Sequence, residues 1–292
     1  MTAAVACPYC GGAVEAREGE SVVVCPYCGT AFTLSGGEVG EHLMGSVNYT
    51  PQQVFEVFKL WAVRAPEAPN DLPERAELGE WRLDFYPYYV YEVVGVFAGE
   101  RAAAVVAVPA NRALRGTALE RLKMGLAGKV HFSWRLAERA GGRVVPVDVA
   151  PEEADRAALP LAARQVAARL AKRLGRAAAG GFEGLEKMER KLVHAPVYTC
   201  LYSYSGRAYR FLADASDSRI LYAEVPVEAK FRAAALAGGG ASFALAAASA
   251  LAGLKLGAAA FAFFAPLGLA AVGAYCLWRG LAAKSALKRF YG

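Results

Sequence analysis

The strongest feature of the hydrophobic pattern lies at the far end of the chain. Residues 233–254, AAALAGGGASFALAAASALAGL, carry no charge, and after Lys255 residues 256–278, LGAAAFAFFAPLGLAAVGAYCLW, carry none either. As a helix, each stretch is long enough to cross a hydrocarbon core of roughly 30 Å. The expected element is a transmembrane helical hairpin over 231–279, with Lys255 at its turn. Gly238, Ala241, Ala248, Gly253, Gly268, Gly273 and Ala274 would let the two helices approach closely, and Pro266 would kink the second. Lys230 and Arg232 precede the pair, and Arg279, Lys284, Lys288 and Arg289 follow it. By the positive-inside pattern both ends face the cytoplasm. The chain is therefore expected in the cell membrane, with its N-terminal domains and C-terminus cytoplasmic. The tail over 280–292 reads as a short basic amphipathic helix on anionic headgroups, which makes membrane lipids an expected partner. A buried soluble hairpin or an interfacial re-entrant pair is the competing reading, because Ala contributes little to insertion and Gly238-Gly239-Gly240 weakens the first helix.

Over 50–230 the pattern changes to one-sided helices and β-rich runs, as expected of an α+β domain with an antiparallel sheet. In YTPQQVFEVFKLW, Thr50 is the N-cap, Pro51 stands at N1 and Gln53 at N3, a capping box. Val54, Val57, Phe58 and Trp61 then share one face. A short helix is expected over 73–79, after the prolines at 66, 69 and 73. Two runs around Gly99-Glu100-Arg101 are echoed over 194–225, where Pro196 matches Pro87, Tyr198 matches Tyr89 and Ser205-Gly206-Arg207 takes the place of the first turn. This is a degenerate β-hairpin repeat, about 85–109 and 194–225. Between the copies a helix is expected over 111–126, a hairpin over 129–149 turning at Gly141-Gly142, and a helix over 152–178. Arg164, Arg169, Lys172, Arg173 and Arg176 occupy the polar side of that last helix, and Gly180-Gly181 follows it.

The net charge of +6 conceals an asymmetry. Residues 1–44 carry one basic and five acidic side chains and 45–110 carry five and nine, so each segment is at −4. Residues 111–230 carry twenty-one and thirteen, a net of +8, and 231–292 carry six and none. The basic second half suits an anionic partner such as phospholipid, nucleic acid or an acidic protein surface.

Four of the six cysteines stand in CPYCGGAVEAREGESVVVCPYCGTAF, residues 7–32. The chain opens without a basic n-region or an apolar h-region, so a reducing compartment is expected, where CxxC pairs bind metal or do redox chemistry. A redox pair needs a helix start behind its thiol. Here Gly11-Gly12 and Gly29-Thr30 follow the knuckles, which is turn chemistry. Cys7, Cys10, Cys25 and Cys28 are thus expected to hold one structural zinc ion as a closed four-thiolate site. The ribbon spans 1–34 as a β-hairpin with one knuckle at each end, followed by a linker over 35–49. Iron in a rubredoxin-like site and redox activity are the alternatives. Arg17 is the only basic residue of the module, so the ribbon alone should bind phosphate poorly. Tyr9, Tyr27 and Phe32 are read as its miniature core, the alternative being an exposed contact surface.

The order of CPxCG knuckles, a helix ending in Phe-x-x-Trp, a Pro-rich loop and YPYYVYE resembles the uncharacterised membrane-associated zinc-ribbon proteins of bacteria and archaea. The resemblance covers about residues 5–95, with Phe85-Tyr86-Pro87-Tyr88-Tyr89 on the Tyr-x-Pro-aromatic-aromatic strand. Residues 209–221, YRFLADASDSRIL, are similar to the strand-turn-strand of PepSY-like modules, whose pattern is VDAxTGxVL, with Ser218 in place of the Gly. Neither resemblance implies an activity or a catalytic residue.

His42, His131 and His194 lack metal-ligand spacing, and no P-loop or dinucleotide fingerprint occurs. Cys200 reads as a core thiol, and Asp214 and Asp217 as turn residues. The leading expectation is a non-enzymatic, membrane-anchored cytoplasmic adaptor that holds a protein partner near the bilayer. The alternative is a membrane-tethered nucleic-acid or ribosome-binding protein that uses the basic face of 111–191. An enzyme acting on membrane proteins or lipids would require a well-formed polar cleft.

Overall fold

The computed structural model describes residues 3–16, 20–34, 36–37, 39–65, 68–174, 180–227, 229–255, 259–282 and 287–290. The N-terminal module holds β1 (Ala3–Ala6), β2 (Ala13–Ala16), β3 (Val22–Val24) and β4 (Ala31–Thr33). β5 (Glu41–Gly45), α1 (Pro51–Ala62), α2 (Leu72–Arg75), β6 (Glu77–Phe97) and β7 (Glu100–Pro109) follow. Next come β8 (Lys129–His131), α3 (Trp134–Arg139), β9 (Gly142–Val144), α4 (Pro151–Leu174), β10 (Phe182–Tyr204), β11 (Arg207–Asp214) and β12 (Ile220–Val225). The chain ends in α5 (Ala229–Lys255), α6 (Ala259–Ala282) and β13 (Leu287–Phe290).

A nine-stranded sheet organises the α+β body around the long antiparallel pair β6 and β10. Each of these strands opens a hairpin, β6–β7 and β10–β11. Their turns are Ala98-Gly99, with φ 52° and 75°, and Ser205-Gly206, with φ 49° and 72°. Positive φ at both central residues matches the twist of the flanking strands. The two hairpins correspond turn for turn, and the correspondence extends to how they pair. The offset that lays Pro87 on Pro196 also lays Tyr86 on Ala195, and those two residues pair directly across β6 and β10. A pseudo-dyad passes between them.

The dyad relates β9, parallel to β6 over Leu83–Phe85, to β5, parallel to β10 over Lys191–His194. It also relates α4 to α1. The Ala110 amide donates to Pro87 O at 3.0 Å, while Ala110 O accepts from the Asp148 and Val149 amides. In the other half the Ala215 amide donates to Pro196 O at 2.9 Å, and Ala215 O accepts from the Asn48 and Tyr49 amides. Tyr89 Oη donates to Val149 O at 2.8 Å and Tyr198 Oη to Tyr49 O at 3.1 Å. Each tyrosine thereby pins the chain just before a helix that starts at a proline, Pro151 or Pro51. The halves are intertwined: the short strand and helix of each pack on the long hairpin of the other.

Both helices lie on one face of the sheet. α1 begins at the expected capping box, with Gln53 N donating to Thr50 Oγ1 and Thr50 N to Gln53 Oε1. It buries Val54, Phe55, Phe58 and Ala62 against Cys200, Tyr202 and Phe211, so the buried stripe runs through Phe55 and Ala62, while Val57 and Trp61 lie at its margin. Each large side chain buried there contributes about 1.5–3 kcal/mol. α4 presents Ala154, Ala158, Ala162 and Val166 to Tyr89, Tyr91 and Val106. Small residues at a helical spacing of four allow the helix to sit close on the sheet. On the opposite face Tyr88, Val90, Val193 and Val197 pack under Leu114, Leu119 and Leu122.

Several expected elements take other forms. Residues 111–126 contain only a 3₁₀ turn, Arg112–Leu114, followed by turns tethered where Tyr88 Oη donates to Leu119 O at 2.7 Å. Residues 129–149 hold β8, α3 and β9 rather than a hairpin. Gly141, at φ 68°, closes α3 from the left-handed region instead of turning two strands. The second short helix is α2, and β6 already begins at Glu77. The expected linker 35–49 contains β5, which lies in the sheet between β10 and β8. The tail contains β13, antiparallel to β12 with Tyr222 opposite Phe290, where an amphipathic helix was expected. The edge of β12 offers partners for the backbone of the tail, whereas a short isolated helix is marginal because its nucleation is costly.

α5 and α6 pack along each other. A Cβ on Gly239 would meet Leu277 Cγ at 2.7 Å, and one on Gly273 would meet Phe243 Cδ2 at 2.9 Å. These two glycines set the close approach, whereas Gly238, Gly240 and Gly268 face open space. α5 over Ala233–Lys255 is long and apolar enough to cross a membrane. α6 supplies a shorter apolar stretch, Phe263–Trp278, and Pro266 lies inside it.

Candidate metal centre

Each knuckle is a closed turn. Gly11 N donates to Cys7 O and Cys7 N to Gly12 O, both at 2.9 Å; Gly29 N donates to Cys25 O at 3.0 Å and Cys25 N to Thr30 O at 2.9 Å. Gly11 and Gly29 take φ 73° and 76°, which only glycine adopts freely. Because each turn closes on itself, its flanking strands pair with each other. The first knuckle carries the hairpin β1–β2 and the second carries β3–β4. This corrects the expected single hairpin spanning both knuckles.

The two turns face each other across four thiols whose Sγ atoms all lie within 4.8 Å of one another. Cys7 Sγ is 3.7 Å from Cys28 Sγ, and Cys10 Sγ is 3.6 Å from Cys25 Sγ. A tetrahedral ion with metal–sulfur bonds of about 2.3 Å has edges of about 3.8 Å, so the thiols stand at ligand spacing. A disulfide needs sulfurs about 2 Å apart, and all four cysteines are free. Cys7, Cys10, Cys25 and Cys28 can hold a metal ion. Burial alone would raise the Cys28 thiol, but the Thr30 hydroxyl and amide and the Cys25 and Cys10 thiols bring it down to about 6. Cys10 goes the other way: the Gly12 amide lowers its thiol, but desolvation and the Cys25, Cys28 and Cys7 thiols together raise it to about 12. One thiol thus deprotonates readily and another holds its proton, so cation binding displaces protons.

Phe32 forms the buried centre of this module with Val14, Val23 and Cys25. Tyr9 and Tyr27, expected in the same small core, are 79% and 72% exposed. They sit at the same position of the two knuckles, one residue before Cys10 and Cys28, and the Tyr27 ring lies over Gly12 of the first knuckle.

The module is fastened to the body. Ser21 N donates to Val147 O and Ser21 Oγ to Asp148 O, both at 3.1 Å, beside a bridge between Val22 and Val147. His42 Nδ1 lies 2.8 Å from Gly29 O, which fixes the proton on Nδ1. Its ring stacks on Phe132 at 4.1 Å and meets His194 at 5.0 Å. Burial lowers His42 to about 4, and burial followed by His42 lowers His194 well below the usual histidine range, so both are neutral. His131 is exposed on β8. No sequence signal placed His42 here, because a lone His in a Gly-rich stretch carries no periodicity.

The basic side of α4 is partly spent on its own fold. Arg169 donates to Ala103 O at 2.9 Å, and Arg173 pairs with Glu100 at 2.5 Å. Arg164 and Lys172 are exposed, and Arg176 lies outside the described residues. Lys230 is exposed at the start of α5. Arg232, Arg279, Lys288 and Arg289 are placed by their backbones alone, and Lys284 lies outside the described residues. Cys200 is a buried core thiol, pushed up to about 12 by burial. Asp214 accepts from the Ser216 amide at 2.7 Å and Asp217 from the Arg219 amide at 3.0 Å, both as turn residues. Ser218 in this turn takes φ 60°, the conformation a glycine would favour.

Comparison with protein-family models, with curated proteins and with solved structures returns no match.

Proposed function

We propose that the protein is a membrane-anchored, non-enzymatic adaptor whose zinc ribbon docks a protein partner close to the bilayer. Zinc suits a closed set of four thiolates with no position left for substrate. The observation that carries the reading is the pair Tyr9 and Tyr27, exposed at matching positions of two knuckles that the metal would hold rigid. Aromatic side chains displayed on a rigid support have the character of interface anchors. α5 and α6 form the anchor in this reading, with both ends in the cytoplasm and Lys255 on the far side. The exposed Phe263, Phe264, Leu267 and Trp278 support it, since such a surface is costly in water and favourable in lipid. Nucleic-acid binding through α4 is disfavoured because Arg169 and Arg173 are already engaged.

The test is purification of the full chain from native membranes in mild detergent. Zinc at one ion per chain and a defined co-purifying protein are expected. Tyr9→Ala with Tyr27→Ala should lose that protein and keep the zinc, and a chelator should release both. An unchanged set of co-purifying proteins in the tyrosine variant would overturn the adaptor role. Labelling of Lys255 from the cytoplasmic side alone would overturn the topology.

A further inference from the structure

The face of the sheet opposite α1 and α4 carries a charged cleft that the adaptor reading leaves unused. Asp84 on β6 is 1% exposed, yet it bears a carboxylate. Arg82 Nε reaches its Oδ2 at 2.8 Å, Arg143 Nε from β9 reaches its Oδ1 at 2.8 Å, and Tyr86 Oη donates to Oδ2 at 3.1 Å. Both arginines remain mostly exposed, at 64% and 68% of their side chains, and both spend Nε on the buried acid. Among the described residues, their terminal nitrogens make no further ion pair. One buried carboxylate therefore orients two guanidinium forks.

Across the cleft, Arg210 on β11 lies 3.6 Å from Glu224, a loose pair, and Tyr222 Oη donates to that Glu224 at 2.8 Å. Three arginines thus face two carboxylates. The cleft encloses about 510 Å³ under the turns of 111–122, within the size range of small-molecule sites. Leu114, Leu119 and Leu212 give it an apolar wall. A buried acid needs one cationic partner to balance its charge; here it has two.

We propose that this cleft binds the phosphate group of a small organic ligand, between Arg82, Arg143 and Arg210, with the carbon portion against Leu114, Leu119 and Leu212. Guanidinium forks match phosphate oxygens in pairs, and the fork geometry is fixed before the ligand arrives. The excess of one positive charge is neutralised when the anion binds. The ligand is a soluble phosphate ester or a phospholipid headgroup. β12, which carries Tyr222 into the cleft, ends at Val225, and α5 starts at Ala229, so the cleft adjoins the apolar helices along the chain.

The full chain in non-ionic detergent is titrated calorimetrically with inorganic phosphate, with acetate and with a short-chain phosphatidic acid. Saturable binding of both phosphate probes is expected, with acetate at least tenfold weaker. Arg143→Gln and Arg210→Gln should each weaken both phosphate probes at least tenfold. Arg210→Gln leaves the Asp84 cluster intact and guards against a misfolded variant, and Arg164→Gln on α4 should change nothing. Phosphatidic acid at least tenfold tighter than inorganic phosphate identifies a lipid headgroup, and equal affinities identify a soluble phosphate. Absence of binding by both phosphate probes overturns the proposal. So does acetate binding as tightly as phosphate, or an Arg210→Gln variant that binds like the native chain. None of these outcomes depends on the partner of the ribbon.

Discussion

Where β9 lies along β6, the paired positions are Asp84 and Arg143; at the dyad-related place, where β5 lies along β10, they are Val193 and Leu43. The backbone arrangement is the same, but the chemistry is reversed. In one half the seat holds a buried carboxylate under two arginines and opens into a cleft. In the other it is filled with apolar side chains beneath Leu114, Leu119 and Leu122. The halves also differ one residue further on, where Phe85 in one is matched by His194 in the other. A duplicated scaffold fixes its backbone hydrogen bonds twice, through Pro87–Ala110 and Pro196–Ala215, and this leaves one copy of each seat free to diverge. One seat carries paired charges and the other carries packing.

The sharpest way to break the comparison is to install the charge in the apolar seat. Val193→Asp places a carboxylate opposite Leu43 with no arginine to meet it. Burying an unpaired charge costs about 3–5 kcal/mol, enough to unfold a domain of ordinary stability. Denaturant unfolding should show that loss, and adding Leu43→Arg should recover part of it. If Val193→Asp alone unfolds like the native chain, that seat is not the closed core described.

His194 offers a test of intermediate size. A neutral buried histidine binds no proton in the folded state but binds one when unfolded below about pH 6.5. His194 and His42 therefore contribute stability that is complete above that pH. It is lost as pH falls, at about 1.4 kcal/mol per pH unit for each histidine until its folded pKa is reached, about 4 for His42. His194→Phe, which copies the Phe85 seat, should reduce the slope of unfolding free energy between pH 6 and pH 5 by about 1 kcal/mol per pH unit. An unchanged slope would show that His194 is protonated in the fold.

The parts of this architecture that were legible in the sequence are those set by close neighbours. Two CxxCG turns specify four thiols at ligand spacing, and Thr50 with Gln53 specifies the start of α1. Pro87 and Tyr89 repeat as Pro196 and Tyr198 because in both copies the proline carbonyl accepts from Ala110 or Ala215 and the tyrosine hydroxyl pins the chain before a helix. What stayed hidden depends on partners far along the chain. EHLMG of β5 becomes a strand only because β10 offers it an edge about 150 residues later. Asp84, Arg143 and Arg210 come from three strands, and in sequence each reads as an ordinary surface charge. Gly141 misled for a different reason: a left-handed glycine closes a helix as readily as it turns a hairpin.

The smallest test compares the two tyrosines that hold the halves together. Tyr89→Phe and Tyr198→Phe each delete one hydroxyl donor to the residue before a helix cap. Val149, the acceptor for Tyr89, is fully buried, so its carbonyl would be left without a donor on that side. Tyr49, the acceptor for Tyr198, is only half-buried, so water can replace the lost hydroxyl. An unsatisfied buried acceptor costs about 1–3 kcal/mol, whereas a hydrogen bond exchanged for water costs about 0.5–1.5 kcal/mol. The Tyr89 variant should therefore lose more stability than the Tyr198 variant. If instead the two losses are equal, the dyad-related carbonyls are equally solvated, and the halves are more alike at the helix starts than at the seats of Asp84 and Val193.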